Sequence, residues 1–485
     1  MPIETLNVNL LSILPMALVA ILALSMLVLD FFLKKGDKGA IGYLSIIGLL
    51  IVLPIASNAI EGAPAFGGMV IADAFSAFFN CIFILAAVFA LYLSVDYLKR
   101  INSETGEYYY IVLFAVAGMM VMSSANDLIA LYVGIELMAL SFYVLTAFRV
   151  RDTKSSEGGL KYFVLGALSS GILLYGISFT YGFSGTTNIS DIARLAGGAG
   201  ANNTFMLLGV VLTAAGFAFK IAAFPFHVWA PDAYEGAPTP VTALISIGSK
   251  AASFAVFLRV FIVAFPAFQS HWWKLLWALS AATMLYGSVV AIPQKNIIRM
   301  LAYSSIAHAG VILIGIVALN GAGAAGVMYY LLVYAFMNMG AFAIVMYLGR
   351  VRGNGEYVSD YAGMSSRHPV IAFLMALFLL SLAGIPPTGG FMAKFFILSA
   401  AIKARYYWLA AIGVVSTAIS LFFYARVVFY MYMKDAEGDS PAPAGRPALA
   451  YDVVIYITAA MTMLLGLYPA PFMEIAIKAV EPLIR

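Results

Sequence analysis

The sequence predicts an all-α polytopic membrane protein, and three observations support this fold class. The 485-residue chain is 63% hydrophobic and only 10% charged, whereas soluble domains are about 25% charged. Its mean hydropathy is +0.97. Apolar stretches of membrane-spanning length recur along the whole chain, separated by charged residues or by Gly and Pro. These features exclude an ordinary soluble globule.

Fourteen apolar stretches are each predicted to cross the membrane as a helix. They lie near residues 10–33, 41–60, 74–95, 108–123, 127–147, 161–183, 204–229, 240–265, 273–292, 297–318, 324–348, 369–400, 407–432 and 450–472. The polar stretch Lys434–Tyr451 between the last two is rich in Pro, Ala and Gly, so we expect a linker there. No soluble domain is predicted.

The basic residues predict the orientation of these spans. When both termini are placed outside, sixteen of the 27 Lys and Arg residues fall in inner loops, six in outer loops and tails, and five within spans. Cytoplasmic loops carry an excess of Lys and Arg. We therefore expect both termini on the outer side of the membrane. The first ten residues carry Glu4 and no basic residue, which is not typical of a cleaved signal peptide.

Several cofactor sites are excluded by the sequence. The single cysteine, Cys81, cannot form an internal disulfide, a CxxC redox site or a four-thiolate iron–sulfur cluster. The glycines Gly321, Gly323 and Gly326 match GxGxxG, but they are predicted to lie in a short outer turn without the strand that a dinucleotide site requires. We interpret them as a turn or helix-packing feature. Motifs for ATP binding are also absent.

Two of the predicted spans are interrupted. The seventh contains Pro225 shortly after Lys220, and the twelfth contains the stretch AGIPPTGGF around Pro386 and Pro387. Proline cannot continue a regular helix. Broken helices at matching places in two halves of a chain indicate a transport site.

The positions of these breaks predict the domain organisation. We expect N-terminal helices in residues 1–100, a five-helix unit in 101–267, a second unit of opposite topology in 268–434, and a loop with the last helix in 435–485. One detail departs from this symmetry. Lys220 precedes its break, whereas Lys394 follows its own.

One carboxylate and three ammonium groups are predicted to lie within the hydrocarbon depth. They are Glu136, Lys220, Lys250 and Lys394. Glu136 lies nine residues after Asp127, roughly 14 Å along a helix at 1.5 Å per residue. A charged residue at a helix centre costs about 2.5 to 3.5 kcal/mol on insertion scales, so intramembrane charges indicate function. Burial disfavours charge and an opposite charge favours it, which suits a proton relay.

Structural interpretations of these residues remain open. Glu136 and Lys220 can form a static ion pair that fixes helix packing. Lys250 can extend its side chain to the interface, and Lys394 lies where a helix break admits water. His308, in LAYSSIAHAGVIL, can shuttle protons between lysines, but a buried neutral histidine is equally expected.

Other titratable residues have weaker predicted roles. His227 follows the break of the seventh span and is a less favoured proton carrier than His308. Arg259 and Arg426 do not readily release a proton, so we expect structural pairing. Asp232 and Glu235 can guide protons or contact a neighbouring subunit, although a solvated inner loop is favoured.

Three motifs resemble a known family. The stretches PFHVWAPDAYEGAPTPVTALISIGSK, NIIRMLAYSSIAHAG and SLAGIPPTGGFMAKF are similar to the antiporter-like membrane subunits of respiratory complex I. The resemblance extends from the first span to the fourteenth. It implies fourteen helices, two inverted five-helix units and broken seventh and twelfth helices. It also implies a polar axis of Glu136, Lys220, Lys250 and Lys394, with Glu136 acting on Lys220 and with Lys394 at the exit side.

The resemblance further implies location, function and partners. A multi-pass protein of the bacterial inner membrane is expected, with both termini on the periplasmic side. Such a chain is expected to translocate protons within a complex that oxidises NADH and reduces quinone. It would itself bind no cofactor, since FMN and the iron–sulfur clusters are expected on partner subunits. The expected partners are other membrane subunits of the complex, above all antiporter-like ones and small ones, together with lipids and protons. No nucleic acid is expected.

Two alternatives fit the same sequence. A cation/proton antiporter subunit of the multisubunit Mrp type would share the fold and the buried charges without a redox partner. A structural scaffold would hold neighbouring subunits together without conducting protons. Identifying the proteins that co-purify with the chain distinguishes a complex I subunit from an Mrp subunit. Loss of proton pumping with intact assembly, after the buried charges are removed, would exclude a scaffold.

Overall fold

The chain is almost entirely helical. A computed structural model describes residues 9–58, 64–196, 203–318, 320–352, 355–435 and 449–484. Within these ranges it contains isolated β-bridges but no strand. Twelve of the described helices are long and apolar enough to cross a membrane, and two shorter apolar helices are Thr204–Lys220 and Pro369–Ala383. The predicted all-α membrane fold is confirmed. The helix count of fourteen and the inverted repeat stay predictions.

The helices follow one another with short connections. The first half comprises α1 (Leu10–Asp30), α2 (Gly39–Ser57), α3 (Ala74–Arg100), α4 (Glu107–Ser124), α5 (Leu128–Thr146), α6 (Thr153–Ser184), α7 (Ile189–Ala196), α8 (Thr204–Lys220), α9 (Trp229–Gly236), α10 (Thr239–Leu244) and α11 (Lys250–Arg259). The second half comprises α12 (Gln269–Ala291), α13 (Ile297–Val317), α14 (Gly321–Arg352), α15 (Met364–Arg367), α16 (Pro369–Ala383), α17 (Gly389–Lys403), α18 (Tyr407–Met433), α19 (Leu449–Leu467) and α20 (Ala470–Ile484). Short 3-10 turns span Lys35–Asp37, Phe66–Gly68, Pro266–Phe268 and Val358–Tyr361.

Asn and Asp side chains begin several of these helices. Each accepts a hydrogen bond from a backbone N–H in the first turn, which satisfies donors that would otherwise lack a partner. These N-caps are Asn9, Asp73, Asp127, Asp152, Asn203 and Asn296. The caps fix where α5, α8 and α13 start, and these helices carry or support the buried charges.

Burial separates the interior helices from the lipid-facing ones. Helices α13 and α14 and the continuous segment Thr239–Ala264 are almost fully buried, whereas α1, α2 and α18 expose much of their apolar surface. In a membrane, lipid tails are as apolar as the protein interior, so exposure does not follow polarity. The innermost helices are therefore those that hold Lys250 and His308.

The two predicted helix breaks are observed. The seventh span, predicted over residues 204–229, is helical only to Lys220, the end of α8, and after the break it continues as α9 to Gly236; Ala222 in the break is in the left-handed region at φ 56°. The twelfth is divided into α16 and α17, with Gly384 at φ 87° ending α16. The breaks occupy residues 221–228 and 384–388, and the helices on both sides of each break pack within the bundle.

Some predicted boundaries differ from the structure. Helices α7 and α20 were not predicted, because a search for membrane-length apolar stretches does not detect helices of 8 and 15 residues. The last predicted span, 450–472, ends at Leu467. The glycines of the GxGxxG match lie in the first turns of α14 rather than in a turn, and Gly323 packs against the backbone of Gly315. Most of the predicted linker, residues 436–448, lies outside the described residues.

Candidate functional site

The three predicted lysines are buried inside the bundle. The side chains of Lys220, Lys250 and Lys394 are 5%, 3% and 6% exposed. Glu136 is partly buried, and it shares the outward face of α5 with the exposed residues Val133 and Leu140. The three lysines are therefore enclosed by other parts of the protein.

Glu136 and Lys220 are connected through a serine. The Ser170 hydroxyl, on α6, donates a hydrogen bond to Glu136 Oε1. The Lys220 ammonium donates to the same hydroxyl over 3.5 Å. Within the described residues the carboxylate and the ammonium make no direct ion pair. The static Glu136–Lys220 pair considered from the sequence therefore takes the form of a bridge through Ser170.

The position of Lys220 follows from the end of α8. Lys220 is the last residue of this helix, where cations interact favourably with the unsatisfied carbonyls. Its ammonium also lies 5.8 Å from the centroid of the Phe219 ring. The helix end and the ring both favour a positive charge at this position.

Lys250 begins α11 directly after a π-helical turn. This turn covers Ile245–Ser249, and π-helical turns are frequent at functional sites. The Asn338 side chain, on α14, donates to Ser246 Oγ within the turn over 2.6 Å. The Lys250 ammonium donates to both the hydroxyl and the backbone carbonyl of Ser305, on α13. Extension of Lys250 to the interface, the alternative from the sequence, is not observed.

His308 is held by two tyrosines. Its Nδ1 lies 2.5 Å from the Tyr330 hydroxyl and its Nε2 lies 3.2 Å from the Tyr424 hydroxyl. Tyr424 also hydrogen-bonds Ser304. Both ring nitrogens therefore have a partner that can donate or accept, which suits a proton relay and a neutral structural histidine alike.

Lys394 binds the end of a different half-helix from its own. Its ammonium, on α17, donates to the backbone carbonyls of Leu382 (3.0 Å) and Ala383 (2.9 Å) at the end of α16. A cation at a helix C-terminus is favoured by the helix dipole. The Lys394 side chain therefore links the two helices on either side of the second break. Although Lys220 precedes its break and Lys394 follows its own, both ammonium groups lie at the end of a first half-helix.

The site residues form separate polar groups rather than one continuous chain. Glu136 and Lys220 form the first group through Ser170. Lys250 binds Ser305 on α13, one turn before His308 on the same helix. In the described part of the chain, no direct hydrogen bond joins Lys220 to Lys250 or His308 to Lys394.

An ion cluster surrounds α9 at the predicted inner surface. Arg299 Nη1 lies 2.8 Å from Asp232 and 2.8 Å from Glu235. Lys161 and Lys154, at the start of α6, lie 2.8 Å from the same two carboxylates. The free, solvated inner loop favoured from the sequence is therefore wrong, because each carboxylate binds two cations.

The pKa values of these carboxyls reflect their partners. Partial burial alone would raise the pKa of Asp232, but hydrogen bonds from Lys161 and Arg299 outweigh it and hold that pKa below its ordinary value. Glu235 behaves similarly, since hydrogen bonds from Lys154 and Arg299 lower its pKa against the effect of burial. Both groups stay charged at neutral pH.

The two intramembrane arginines are structural. Arg259 binds both oxygens of Asp73, at 3.0 and 2.9 Å, which confirms the predicted pairing. Arg426 instead donates to the backbone carbonyls of Ile292 and Gln294 at the end of α12. His227 packs against Tyr286, with ring centroids 4.4 Å apart. It lies in the connection between α8 and α9.

The sequence analysis did not identify the hydroxyl partners of these charges. Ser170, Ser305, Tyr330 and Tyr424 each bind a predicted site residue. Ser305 lies in the motif LAYSSIAHAG, three residues before His308, which places both on adjacent turns of one helix. Ser170 and the tyrosines carry no comparable signal, since hydroxyl residues are common in membrane helices.

Metal binding finds no support among the described residues. They contain no group of three His, Cys, Asp or Glu side chains that could hold a metal ion. The polar groups of the candidate site are instead three buried lysines, several hydroxyls, the partly buried carboxylate of Glu136 and the buried imidazole of His308. These groups can hold and pass protons.

Sequence comparison identifies close relatives. Residues 125–420 match a family model described as "NADH:quinone oxidoreductase/Mrp antiporter, TM". NADH-quinone oxidoreductase subunit N of Trichlorobacter lovleyi is 43% identical, over 99% of this chain and 98% of the relative. Subunit N of Rhodospirillum rubrum is also 43% identical, over 97% and 96%. Both relatives match from end to end.

Solved structures share the fold. A chain of respiratory complex I from Thermus thermophilus with bound aureothin superposes with a TM-score of 0.80 at 29% identity, covering 95% of this chain and 98% of that one. A chain of the archaeal membrane-bound sulfane sulfur reductase gives 0.85 at 26% identity, with 98% of both chains covered. The Mrp complex from Dietzia sp. gives 0.82, with 98% of both chains covered, but at 22% identity it shows the fold alone. The chain therefore belongs to the NADH:quinone oxidoreductase/Mrp antiporter membrane family, and within it to the NADH-quinone oxidoreductase subunit N proteins.

Proposed function

We propose that this chain is a proton-translocating membrane subunit of an NADH-quinone oxidoreductase. In this role it couples NADH oxidation and quinone reduction, performed by partner subunits, to proton movement through its own buried charges. The observation that carries the proposal is the continuous hydrogen-bonded path from the Lys220 ammonium through Ser170 to the Glu136 carboxylate. A carboxylate that moves relative to a buried ammonium changes how readily that ammonium holds its proton.

The first step is charge control at Lys220. When Glu136 lies close, its negative charge stabilises the protonated lysine. When Glu136 moves away, burial favours the neutral amine, and the proton leaves toward the interior. Ser170 supports this exchange, because its hydroxyl accepts from Lys220 while donating to Glu136.

The later steps use Lys250, His308 and Lys394. We propose that the proton passes to Lys250, then by His308 and water molecules to Lys394, from which it exits. The shared helix α13 supports this order, since it holds His308 and the Ser305 partner of Lys250. Water is required between each pair of successive carriers, Lys220 to Lys250, Lys250 to His308 and His308 to Lys394, because the described residues make no direct hydrogen bond there.

Partner subunits are expected to cover Glu136 and to carry the redox cofactors. Partly buried Glu136 shares its face of α5 with exposed apolar residues, which favours a neighbouring membrane subunit there, because a carboxylate facing lipid is costly. FMN and iron–sulfur clusters are assigned to partner subunits, since a chain with only Cys81 cannot supply four thiolates.

The arrangement of the chain in the membrane is part of the proposal. Two five-helix units, residues 101–267 and 268–434, each contain one break at the fourth helix. Residues 1–100 and 435–485 flank these units. Both termini are placed on the periplasmic side, as the excess of basic residues in the opposite loops favours.

Removing the charges tests this function. Lys220→Ala and Glu136→Ala are introduced into the whole complex, which is reconstituted into vesicles. Proton uptake is measured with an entrapped pH-sensitive dye while NADH oxidation is followed in the same sample. We expect proton pumping to be abolished with the complex still assembled. A normal ratio of protons to electrons in either variant would contradict the proposal.

A co-purification experiment separates the Mrp alternative. The tagged chain is extracted gently from its native membrane and its partners are identified by mass spectrometry. NADH dehydrogenase subunits are expected, whereas small antiporter subunits without them would contradict the assignment. A scaffold role would be indicated by unchanged pumping in the charge variants.

A further inference from the structure

Helix α9 contacts residues next to two buried lysines, Lys220 and Lys250. It is the second half of the interrupted seventh span and packs against α6 and α13. It follows Lys220 by a short connection and precedes α10, which leads to Lys250. Neither lysine is on α9 itself.

One end of α9 contacts the Lys220 site. The Trp229 indole N–H donates to the backbone carbonyl of Phe219 over 3.1 Å, one residue before Lys220. The Trp229 ring stacks on Tyr162 with centroids 4.2 Å apart and planes 5° apart. This contact ties the end of α8 to α9 across the break.

The other end of α9 contacts the Lys250 site. The Tyr234 hydroxyl lies 3.4 Å from Ser305 Oγ, which accepts a hydrogen bond from Lys250. The backbone carbonyl of Tyr234 also accepts from Thr242 Oγ1 over 2.8 Å, which joins α9 to α10. Within α9 the rings of Trp229 and Tyr234 pack edge to face at 6.5 Å. A line of contacts therefore runs from Phe219 to Ser305.

An ion cluster anchors this helix. Asp232 and Glu235, between and beside the contact residues, share Arg299 at the start of α13. Lys161 and Lys154 bind the same carboxylates from α6. These pairs hold α9 against the two helices that carry Ser170 and Ser305.

We propose that α9 is a positioning element that couples the Lys220 site to the Lys250 site, with Trp229 and Tyr234 as its contact residues. This inference rests on the proposed function, because it assigns α9 the role of keeping Lys220 and Lys250 correctly positioned relative to each other. A shift of α8 at Lys220 moves Trp229, and the same rigid helix moves Tyr234 against Ser305. Neither aromatic residue carries the proton.

A double-mutant cycle in the assembled complex tests the coupling. The variants are Trp229→Phe, which removes the indole donor, Tyr234→Phe, which removes one hydroxyl, and the double variant. Two controls match the chemistry. Trp272→Phe removes an indole that donates to the Phe265 carbonyl over 2.9 Å, and Tyr109→Phe removes a buried hydroxyl that has no hydrogen-bond partner in the described chain. Lys220→Ala is included as the reference for loss of function.

The readout is the rate of proton pumping, with assembly and NADH oxidation in uncoupled vesicles measured alongside. Loss of one hydrogen bond is expected to lower pumping about fivefold in each single variant. If α9 couples the sites, the double variant also loses only about fivefold, because both changes interrupt one line of contacts. Independent effects would multiply to about 25-fold. The two controls are expected to pump within about twofold of the wild type.

The outcomes separate the two proposals. Lost pumping in Lys220→Ala together with a non-additive cycle supports the positioning role. Two outcomes overturn the positioning role and leave the proposed function standing, both with pumping lost in Lys220→Ala. In one, the effects of Trp229→Phe and Tyr234→Phe multiply in the double variant; in the other, both single variants pump normally. Normal pumping in Lys220→Ala overturns both. Equal losses in Trp272→Phe and Tyr109→Phe would also overturn the positioning role, since general loosening would then explain the result.

Discussion

The two broken helices hold their lysines in opposite ways. At the first break, Lys220 ends α8 and is linked through Ser170 to the Glu136 carboxylate. At the second break, Lys394 comes from the second half-helix and donates to two backbone carbonyls of the first. Its ammonium has no carboxylate partner among the described residues.

This difference indicates different control of the two charges. A carboxylate can move and so change the charge on Lys220, whereas the carbonyls at the end of α16 are fixed in place. The surroundings differ as well. The helix after the first break, α9, is held by ion pairs from its two carboxylates to three basic residues on neighbouring helices. In the described structure no ion pair holds α17, the helix after the second break. We therefore propose that the first break receives a signal and that the second releases a proton.

Arginine at the lysine positions is expected to have the largest effect. Arg keeps the positive charge but does not release its proton in proteins. We therefore expect Lys220→Arg and Lys394→Arg each to lower proton pumping by more than about tenfold in reconstituted vesicles, with assembly preserved. Pumping close to normal in Lys220→Arg would show that this lysine acts only as a fixed charge.

The control for this experiment is Lys478→Arg, at an exposed position in α20. It is expected to pump normally. Should Lys394→Arg fail to assemble, Lys394→Gln separates loss of the proton carrier from overpacking, because its side chain is smaller and neutral. A variant at the second break that assembles and pumps normally would remove Lys394 from the exit.

Loss of the anchor at the first break is expected to be the next largest effect. Arg299→Ala leaves two largely buried carboxylates without their shared guanidinium, whose own side chain is 28% exposed. We expect a loss of about 2 to 3 kcal/mol of stability, less than for a fully buried pair. This loss of stability is measured by heating the purified complex and monitoring the temperature at which this subunit is released. Arg194→Ala, at an exposed pair, is expected to change stability by less than about 0.5 kcal/mol.

Much of the fold was predictable because lipid imposes a simple rule. A spanning segment needs about 20 apolar residues with its backbone hydrogen bonds satisfied internally, so hydropathy locates long helices. Proline and glycine located both breaks. Helices α7 and α20 were missed because neither is long enough to span. The pairing of Lys394 with the opposite half-helix also depends on tertiary folding, which spacing along the chain does not reveal.

Less of the site was predictable. Buried charges such as Glu136 and Lys250 are conspicuous in an apolar sequence, because each is costly to insert. Their partners are hydroxyls and backbone carbonyls from distant helices, and these groups occur everywhere in the chain. Asp232 and Glu235 were read as a solvated loop, since the convergence of Arg299, Lys154 and Lys161 on them involves three separate segments. Proton-transfer roles for the buried charges stay predictions.

A serine at each break allows a smaller, paired test. Ser170→Ala removes the hydroxyl between Lys220 and Glu136, so we expect pumping to fall about fivefold with stability nearly unchanged. Ser381→Ala removes the acceptor of the Gly390 N–H, which lies 3.1 Å away across the second break. We expect it to lower stability by about 1 kcal/mol with pumping nearly unchanged. Equal effects on pumping from the two variants would show that the breaks do not differ in the way proposed.

The smallest expected effect is the acid dependence of the α9 anchor. Folding lowers the pKa of Asp232 and Glu235, so their contribution to stability is complete above their unfolded pKa values of about 4. It is lost as the pH falls through the lower folded values. The stability difference between the wild type and the Asp232→Asn, Glu235→Gln double variant should therefore be constant from about pH 8 to pH 5 and shrink below about pH 4. Thermal unfolding across this range measures it, and a difference that stays constant below pH 4 would show that these carboxylates are not stabilised as charged groups.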